Sequence, residues 1–362
     1  MSRFSSVGQK LYRGEVNLNI IGRSKTWYMV AAVLLLISIA ALLIRGLNFG
    51  IEFKGGADFS VPNATCSVSQ ARDVAESATG GQSIVTESAA GTVRVQTEPL
   101  SVDASTQLAR ELAVTCGVAY EEIKIQVVGP TWGAEISSKA LQGLVVFLIL
   151  VSIFLSLYFE WRMAVAALVA LAHDLIITVG IYALVGIEVT PATVIGLLTI
   201  LGYSLYDTVV VFDKVKENTR GIAGQSVLTY DEAANLALNQ TFVRSINTSV
   251  VALLPILAII VVGAGLLGAG TLLDLSVVLL IGMTVGTFSS LFVATPVLVH
   301  LKHRQPEIKA LAGRVKARRN QAARARTGED PSDESTAIAV EVTTLTDSAP
   351  RVQPKRKPRS QR

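Results

Sequence analysis

A polytopic α-helical membrane protein, with one small α+β domain inserted after its first span, is the fold class that this 362-residue sequence predicts. Four observations carry the prediction. Hydrophobic residues make up 51% of the chain and charged residues only 17%, whereas soluble domains carry about a quarter charged residues. The mean hydropathy is +0.50. The apolar residues fall into six runs that reach or nearly reach the roughly 20 residues needed to cross hydrocarbon. The longest interruption, Arg45 to Ser138, has the alternating and turn-punctuated pattern of a small folded domain.

The first run, Tyr28–Ile44, follows a basic segment, residues 1–27. No small-x-small cleavage site follows it at Ile44–Arg45–Gly46, so it reads as a retained signal anchor. The other runs are Ala140–Tyr158, Arg162–Val185, Ala192–Phe212, Val243–Val262 and Leu272–Val299, and the last is long enough to tilt. Lys and Arg gather in the N-terminal segment (Arg3, Lys10, Arg13, Arg23, Lys25), at Arg162, and at Lys214, Lys216, Arg220 and Arg244 around the loop of about 214–242. The turns Gly186–Pro191 and Gly263–Thr271 carry neither. The positive-inside rule then puts both termini in the cytoplasm and residues 45–138 outside. The net charge of +4 follows from this distribution and the basic tail. No aromatic-interleaved basic patch points to DNA.

Within 45–138 the pattern reads strand (Asn48–Val61), helix (Ser67–Ala78), strand (Ser83–Ser88), strand (Thr92–Gln96), helix (Asp103–Val114), strand (Ile123–Val128), with Gly80–Gly81 and Ala90–Gly91 as turns. This β-α-β-β-α-β order is that of a ferredoxin-like domain. Its antiparallel helices bring the only two cysteines, Cys66 and Cys116, to one end. Two readings stand: a disulfide suited to an oxidising compartment, or two buried thiols. Spans two to six occupy 139–302, and a short helix, Tyr230–Gln240, leads into span five. The tail, 303–362, alternates basic, acidic and basic stretches and reads as disordered. Its basic part is suited to anionic lipid or ribosomal RNA, and a plain solubilising tail is the alternative.

The chemistry concentrates in the spans. Asp207 lies inside the apolar fourth run, and a carboxylate there costs at least a few kcal/mol unless it faces a bundle interior or wet cavity. Arg244 lies near the start of the antiparallel fifth span, on the same side of the membrane. Two readings are open: a pair that loosens when the carboxylate takes a proton, or a static ion pair. Tyr203, one turn before Asp207, with Thr208 and Thr248, offers hydroxyls to a proton path or to plain helix contacts. Asp174, beside His173 in span three, is a less strongly marked relay candidate. Gly282-x-x-x-Gly286 suits close helix packing. Gly263-x-Gly265-x-x-Gly268 formally matches a dinucleotide fingerprint but lacks the preceding strand. No cofactor motif and no metal-ligand spacing is present.

Five ordered segments give the chain a family resemblance. They are NFGIEFKGG (Asn48–Gly56), the pair His173–Asp174, GYSLYDTVVVFDKVKEN (Gly202–Asn218), QTFVRSINTS (Gln240–Ser249) and IGMTVGTFSSLFVATP (Ile281–Pro296). Together they resemble the SecD/SecF family of bacterial protein-export membrane subunits, on its SecF side, over about Asn17 to Lys302. The resemblance implies a six-span, RND-like half that pairs with SecD in the cell membrane. It implies work with the SecYEG channel and the SecA motor on unfolded secretory cargo, driven by the proton motive force. It places the family's functional Asp and Arg on Asp207 and Arg244. Glu52, Gly55, Gly56, Gly202 and Asp213 fall on motif positions. Glu52 departs from the family's usual Asp but keeps a carboxylate; Tyr206 departs from its usual Asn, which leaves the bonding around Asp207 open. A small-molecule exporter half and a non-conducting scaffold of the export channel are the alternatives, and no enzyme constellation is found.

Overall fold

The computed structural model describes residues 18–88, 91–262 and 270–327. Six helical stretches have the length and composition of membrane spans. They are α1 (Ser24–Ile44), α5 (Pro130–Tyr158), α6 (Trp161–Val185), α7 (Pro191–Asn218), α8 (Tyr230–Val262), and α9 (Gly270–Ser289) continued through a π-helical turn, Ser290–Ala294, into α10 (Thr295–Lys302). Local chemistry sets their ends. Thr190 and Thr193 form a capping box at the start of α7, with Pro191 where no backbone donor is needed. Apolar side chains such as Leu36, Leu43, Leu157 and Val251 stand exposed on α1, α5 and α8, the face expected of helices solvated by lipid.

Between α1 and α5 lie β1 (Asn48–Phe49), a single helical turn α2 (Ile51–Lys54), β2 (Gly56–Val61), α3 (Val68–Thr79), β3 (Ile84–Glu87), β4 (Val93–Thr97), α4 (Val102–Cys116) and β5 (Lys124–Val128). The sheet order is β3-β4-β2-β5, and all neighbours are antiparallel. Each β-α-β crossover therefore encloses a strand of the other, the split arrangement. Phe59, Val61 and Val95 face α3 and α4, where Ala71, Ala75, Leu108 and Leu112 close the core. Cys66 and Cys116 are joined in a disulfide with Cα atoms 4.4 Å apart. Of the expected Ala90–Gly91 turn, Ala90 lies outside the described residues.

Three expectations are corrected. Asn48–Val61 is not one strand. Asn48–Phe49 pairs in parallel with β6 (Glu188–Val189), between α6 and α7, and β2 begins only at Gly56. The break is made by Gly55, with φ 78°, and by Gly56, where a Cβ would stand 2.7 Å from the Thr97 carbonyl oxygen. Tyr230–Gln240 is not a separate helix. It is the first part of α8, because the sequence across Gln240–Val243 holds no helix breaker. Finally, residues 306–327 of the supposedly disordered tail form α11 (Pro306–Thr327). Ile308, Leu311 and Val315 recur on one helix face and bury in the core that also holds Leu298. From Lys316 the chain forms a second unit. Residues 328–362, Gly263–Gly268 and 1–17 lie outside the described residues.

Candidate functional site

The site is built where α6, α7, α8 and α9 meet. Glycines let the helices approach. A Cβ on Gly282 would stand 2.2 Å from Ile200 on α7, and one on Gly286 would stand 3.0 Å from the Ser204 Cβ. The small-residue stripe of α9 thus packs directly against α7, and short hydroxyl side chains can bridge the helices.

Two carboxylates occupy this junction. Asp174, on α6, and Asp207, on α7, are 1% and 5% exposed. Asp174 Oδ2 accepts from Ser204 Oγ at 2.5 Å and from Ser289 Oγ at 2.7 Å, and Asp174 Oδ1 lies 3.0 Å from His173 Nδ1. Asp207 Oδ1 accepts from Ser245 Oγ at 2.7 Å, and Oδ2 from Ser290 Oγ at 2.5 Å. Neighbouring serines at the entry to the π-helical turn therefore reach different carboxylates on different helices. The hydroxyls continue outward. Tyr203 donates to Ser249 Oγ at 3.2 Å, and Ser249 lies 2.7 Å from Thr287 Oγ1. His173 is buried beside Phe288, and its Nε2 has no hydrogen-bond partner among the described residues.

Asp207 and Arg244 are not partners here. Among the described residues Asp207 is held by hydroxyls, while Arg244 donates to the Tyr206 hydroxyl at 3.3 Å on an exposed face. The cause is helical geometry: Ser245 is turned about 100° from Arg244, and it is Ser245 that faces inward. Tyr206, a departure from the family pattern, is thus the residue that meets Arg244. Thr208 is buried on α7. Thr248 bonds back to the Arg244 carbonyl oxygen at 2.8 Å. Gly202 and Asp213 are exposed.

A second polar cluster ties the sheet domain to the turn between α6 and α7. Asp58 and Arg94 lie on the face of the sheet opposite its core, and Arg94 bonds Asp58 at 2.5 Å and Glu188 at 2.8 Å. Gln96 donates to Asp58 at 3.2 Å and to Glu188 at 2.8 Å. Glu52, on α2, accepts from Gln126 at 3.3 Å with one oxygen, and its other oxygen is buried without a partner among the described residues. Burial pushes the Asp58 carboxyl above its ordinary value, and Arg94 only partly offsets it.

Sequence reasoning found both intramembrane carboxylates but missed Ser245, Ser289, Ser290 and Arg94. A signal for Ser245 was available. Thr241, Ser245 and Ser249 recur every four residues and form one buried hydroxyl stripe. Ser289 and Ser290 lay inside a quoted motif, but nothing local distinguishes them from ordinary helix-packing serines. Among the described residues no group of three or more His, Cys, Asp or Glu side chains is arranged to hold a metal ion.

Residues 108–304 match the family described as protein export membrane protein SecD/SecF, C-terminal, and residues 40–59 match the SecD/SecF GG motif. The chain is 49% identical over 336 residues to protein translocase subunit SecF of Streptomyces coelicolor, covering 92% of this chain and 90% of the relative. It is 45% identical over 322 residues to protein translocase subunit SecF of Mycobacterium tuberculosis, covering 86% and 73%. A relative from Thermus thermophilus named protein translocase subunit SecDF is 32% identical over 297 residues, 79% of this chain and 39% of that one. The crystal structure of SecDF from the same organism, described as a translocon-associated membrane protein, matches with a TM-score of 0.71 at 29% identity. That match covers 82% of this chain and 42% of the longer one.

Proposed function

The chain belongs to the SecD/SecF family of protein-export membrane proteins, and from that premise we propose that it couples proton movement to protein export as a SecF-type subunit. The observation that carries this reading is Asp207, a buried carboxylate in a membrane span whose contacts are hydroxyls rather than a cation. A carboxylate held in this way accepts and releases a proton while its serine partners change from donor to acceptor. Such a group in a span is a functional candidate by default.

The remaining assignments rest on chemistry and likeness together. Arg244 and Tyr206 present a cation and a phenol on an exposed helix face, suited to a second membrane chain. The relative that joins the two names in SecDF supports SecD as that chain. SecYEG, SecA and unfolded secretory cargo are the further partners in this reading, and the late phase of translocation is the step assisted. The Lys and Arg distribution supports cytoplasmic termini and a sheet domain outside the cell membrane, as does the disulfide.

Asp207→Asn tests the reading. The variant should assemble with its partner and lose export driven by the proton motive force. Export that keeps its full response to that force would instead favour a scaffold that moves no protons.

A further inference from the structure

The two intramembrane carboxylates have no common contact, yet two neighbouring residues on one short piece of backbone reach both of them. Ser289 holds Asp174, and the next residue, Ser290, holds Asp207. Ser204, which shares Asp174 Oδ2 with Ser289, lies three residues before Asp207 on one face of α7. Each serine of the pair also has a second acceptor in reach. Ser289 Oγ is 3.2 Å from the Gly286 carbonyl oxygen, and Ser290 Oγ is 3.1 Å from that of Thr287.

We propose that Ser289 and Ser290 form a two-hydroxyl bridge that makes Asp174 and Asp207 titrate as one coupled unit, so that Asp174 is a second proton-carrying carboxylate of this chain. An ionised carboxylate only accepts hydrogen bonds, whereas a protonated one also donates. A proton arriving at Asp174 Oδ2 displaces the hydroxyl of Ser204 or Ser289. The Ser289 hydroxyl turns to the Gly286 carbonyl, and the buried polar groups stay satisfied. The turn is made at the entry to a π-helical segment, where the helical ladder is interrupted. The peptide shared by Ser289 and Ser290 is the route by which the change reaches the donor at Asp207. The same sequence runs in reverse from Asp207. Ser289 and Ser290 are thus positioning residues.

Other groups around the pair are few. On α6, His173 Nδ1 bonds Asp174. On α7, Tyr203 lies one turn from Asp207. On α8, Ser245 touches Asp207, and Arg244 turns outward to Tyr206. On α9 the contacts are the hydroxyls of Ser289 and Ser290. Helix α1 brings Trp27 against Phe288.

The proposal rests on Asp207 being a proton-carrying group, and its test separates the two. The full chain in lipid nanodiscs is treated with dicyclohexylcarbodiimide, which adds to protonated buried carboxyls. Adduct at Asp174 and at Asp207 is followed by peptide mass spectrometry from about pH 5 to 9, a range chosen to span the drop across an energised membrane. The informative readout is the crossed effect. Ser289→Ala, at a residue that touches Asp174 but not Asp207, should move the labelling midpoint of Asp207 by about one pH unit, a tenfold change in proton concentration. Ser290→Ala should move that of Asp174, and Ser289→Thr should restore the wild-type profile. Asp174→Asn should move Asp207 by at least as much. Should that variant fail to fold, the serine variants carry the test. Midpoints that move only at the carboxylate directly touched would overturn the bridge, and so would failure of both carboxyls to label. A crossed shift together with normal export by Asp207→Asn would keep the bridge and overturn the export role.

Discussion

Two carboxylate clusters in this chain solve the problem of a buried negative charge in opposite ways. At the sheet domain, Asp58 and Glu188 share one guanidinium, Arg94, with Gln96 bonded to both acids. Within the spans, Asp174 and Asp207 are met among the described residues by five side chains, four of them serines. A guanidinium keeps its charge at every accessible pH and favours the ionised form of a carboxylate it meets. A serine hydroxyl both donates and accepts, so it serves the carboxylate and the carboxylic acid alike. The first cluster is built as a fastener between the domain and the turn Glu188–Val189. The second is made chiefly of hydroxyls, which can meet a carboxylate or a carboxylic acid. The family assignment gives that chemistry its proposed use.

The comparison can be broken by perturbing each region and reading both stability and pH response. The largest expected effect on stability is at the disulfide, which fastens the domain internally. Cys116→Ser should cost on the order of 4 kcal/mol by the loop-entropy model, seen as a lower thermal midpoint of the sheet domain. Export by the surviving folded protein should keep its pH profile.

A smaller effect is expected at the fastener itself. Arg94→Met leaves Asp58 and Glu188 without their shared cation. Removing one partner of a buried pair costs about 3–5 kcal/mol. The side chain of Arg94 is 41% exposed, so solvent screening reduces this to about 1–2 kcal/mol. Limited proteolysis of the segment joining α1 to the sheet should speed up, because the domain loses its hold on β6. Unchanged proteolysis would mean that the β1–β6 pairing alone fixes the domain.

The smallest effect sharpens the contrast through pH. Burial raises the Asp58 carboxyl above its ordinary value of 3.8. The folded chain therefore binds that proton more tightly than the unfolded chain does. The stability contributed by protonated Asp58 is full below about 3.8 and is lost as pH rises through the raised value. Asp58→Asn, which cannot ionise, should gain thermal midpoint relative to wild type as pH rises toward neutrality, and the gain should vanish in acid. An Asp58→Asn variant that is instead less stable than wild type near neutrality, with the deficit vanishing in acid, would show that the Arg94 pairing outweighs burial.

Much of this was legible in the chain. Six apolar runs can satisfy their backbone only as helices in hydrocarbon, so the spans followed from composition and length. The alternation and glycine turns of residues 56–128 gave the strand and helix order. Asp174 and Asp207 stood out because a carboxylate in an apolar run is costly. The misreadings share a cause. Asn48–Val61 looked like one strand because its pairing with Glu188–Val189 is a contact across 140 positions. The α11 stripe of Ile308, Leu311 and Val315 was hidden by the surrounding charge, and only its docking against the core selects the helix.

By itself, then, the sequence determined which segments enter the membrane, what small domain stands between them, and which carboxylates must be buried, since these depend on local composition and period. Only the tertiary structure decided what meets those carboxylates. Arg244 and Ser245 are neighbours in sequence, and about 100° of helical rotation sends one outward to Tyr206 and the other inward to Asp207. Ser289 and Ser290 are indistinguishable as letters, and the crossing of α9 between α6 and α7 gives one to each carboxylate.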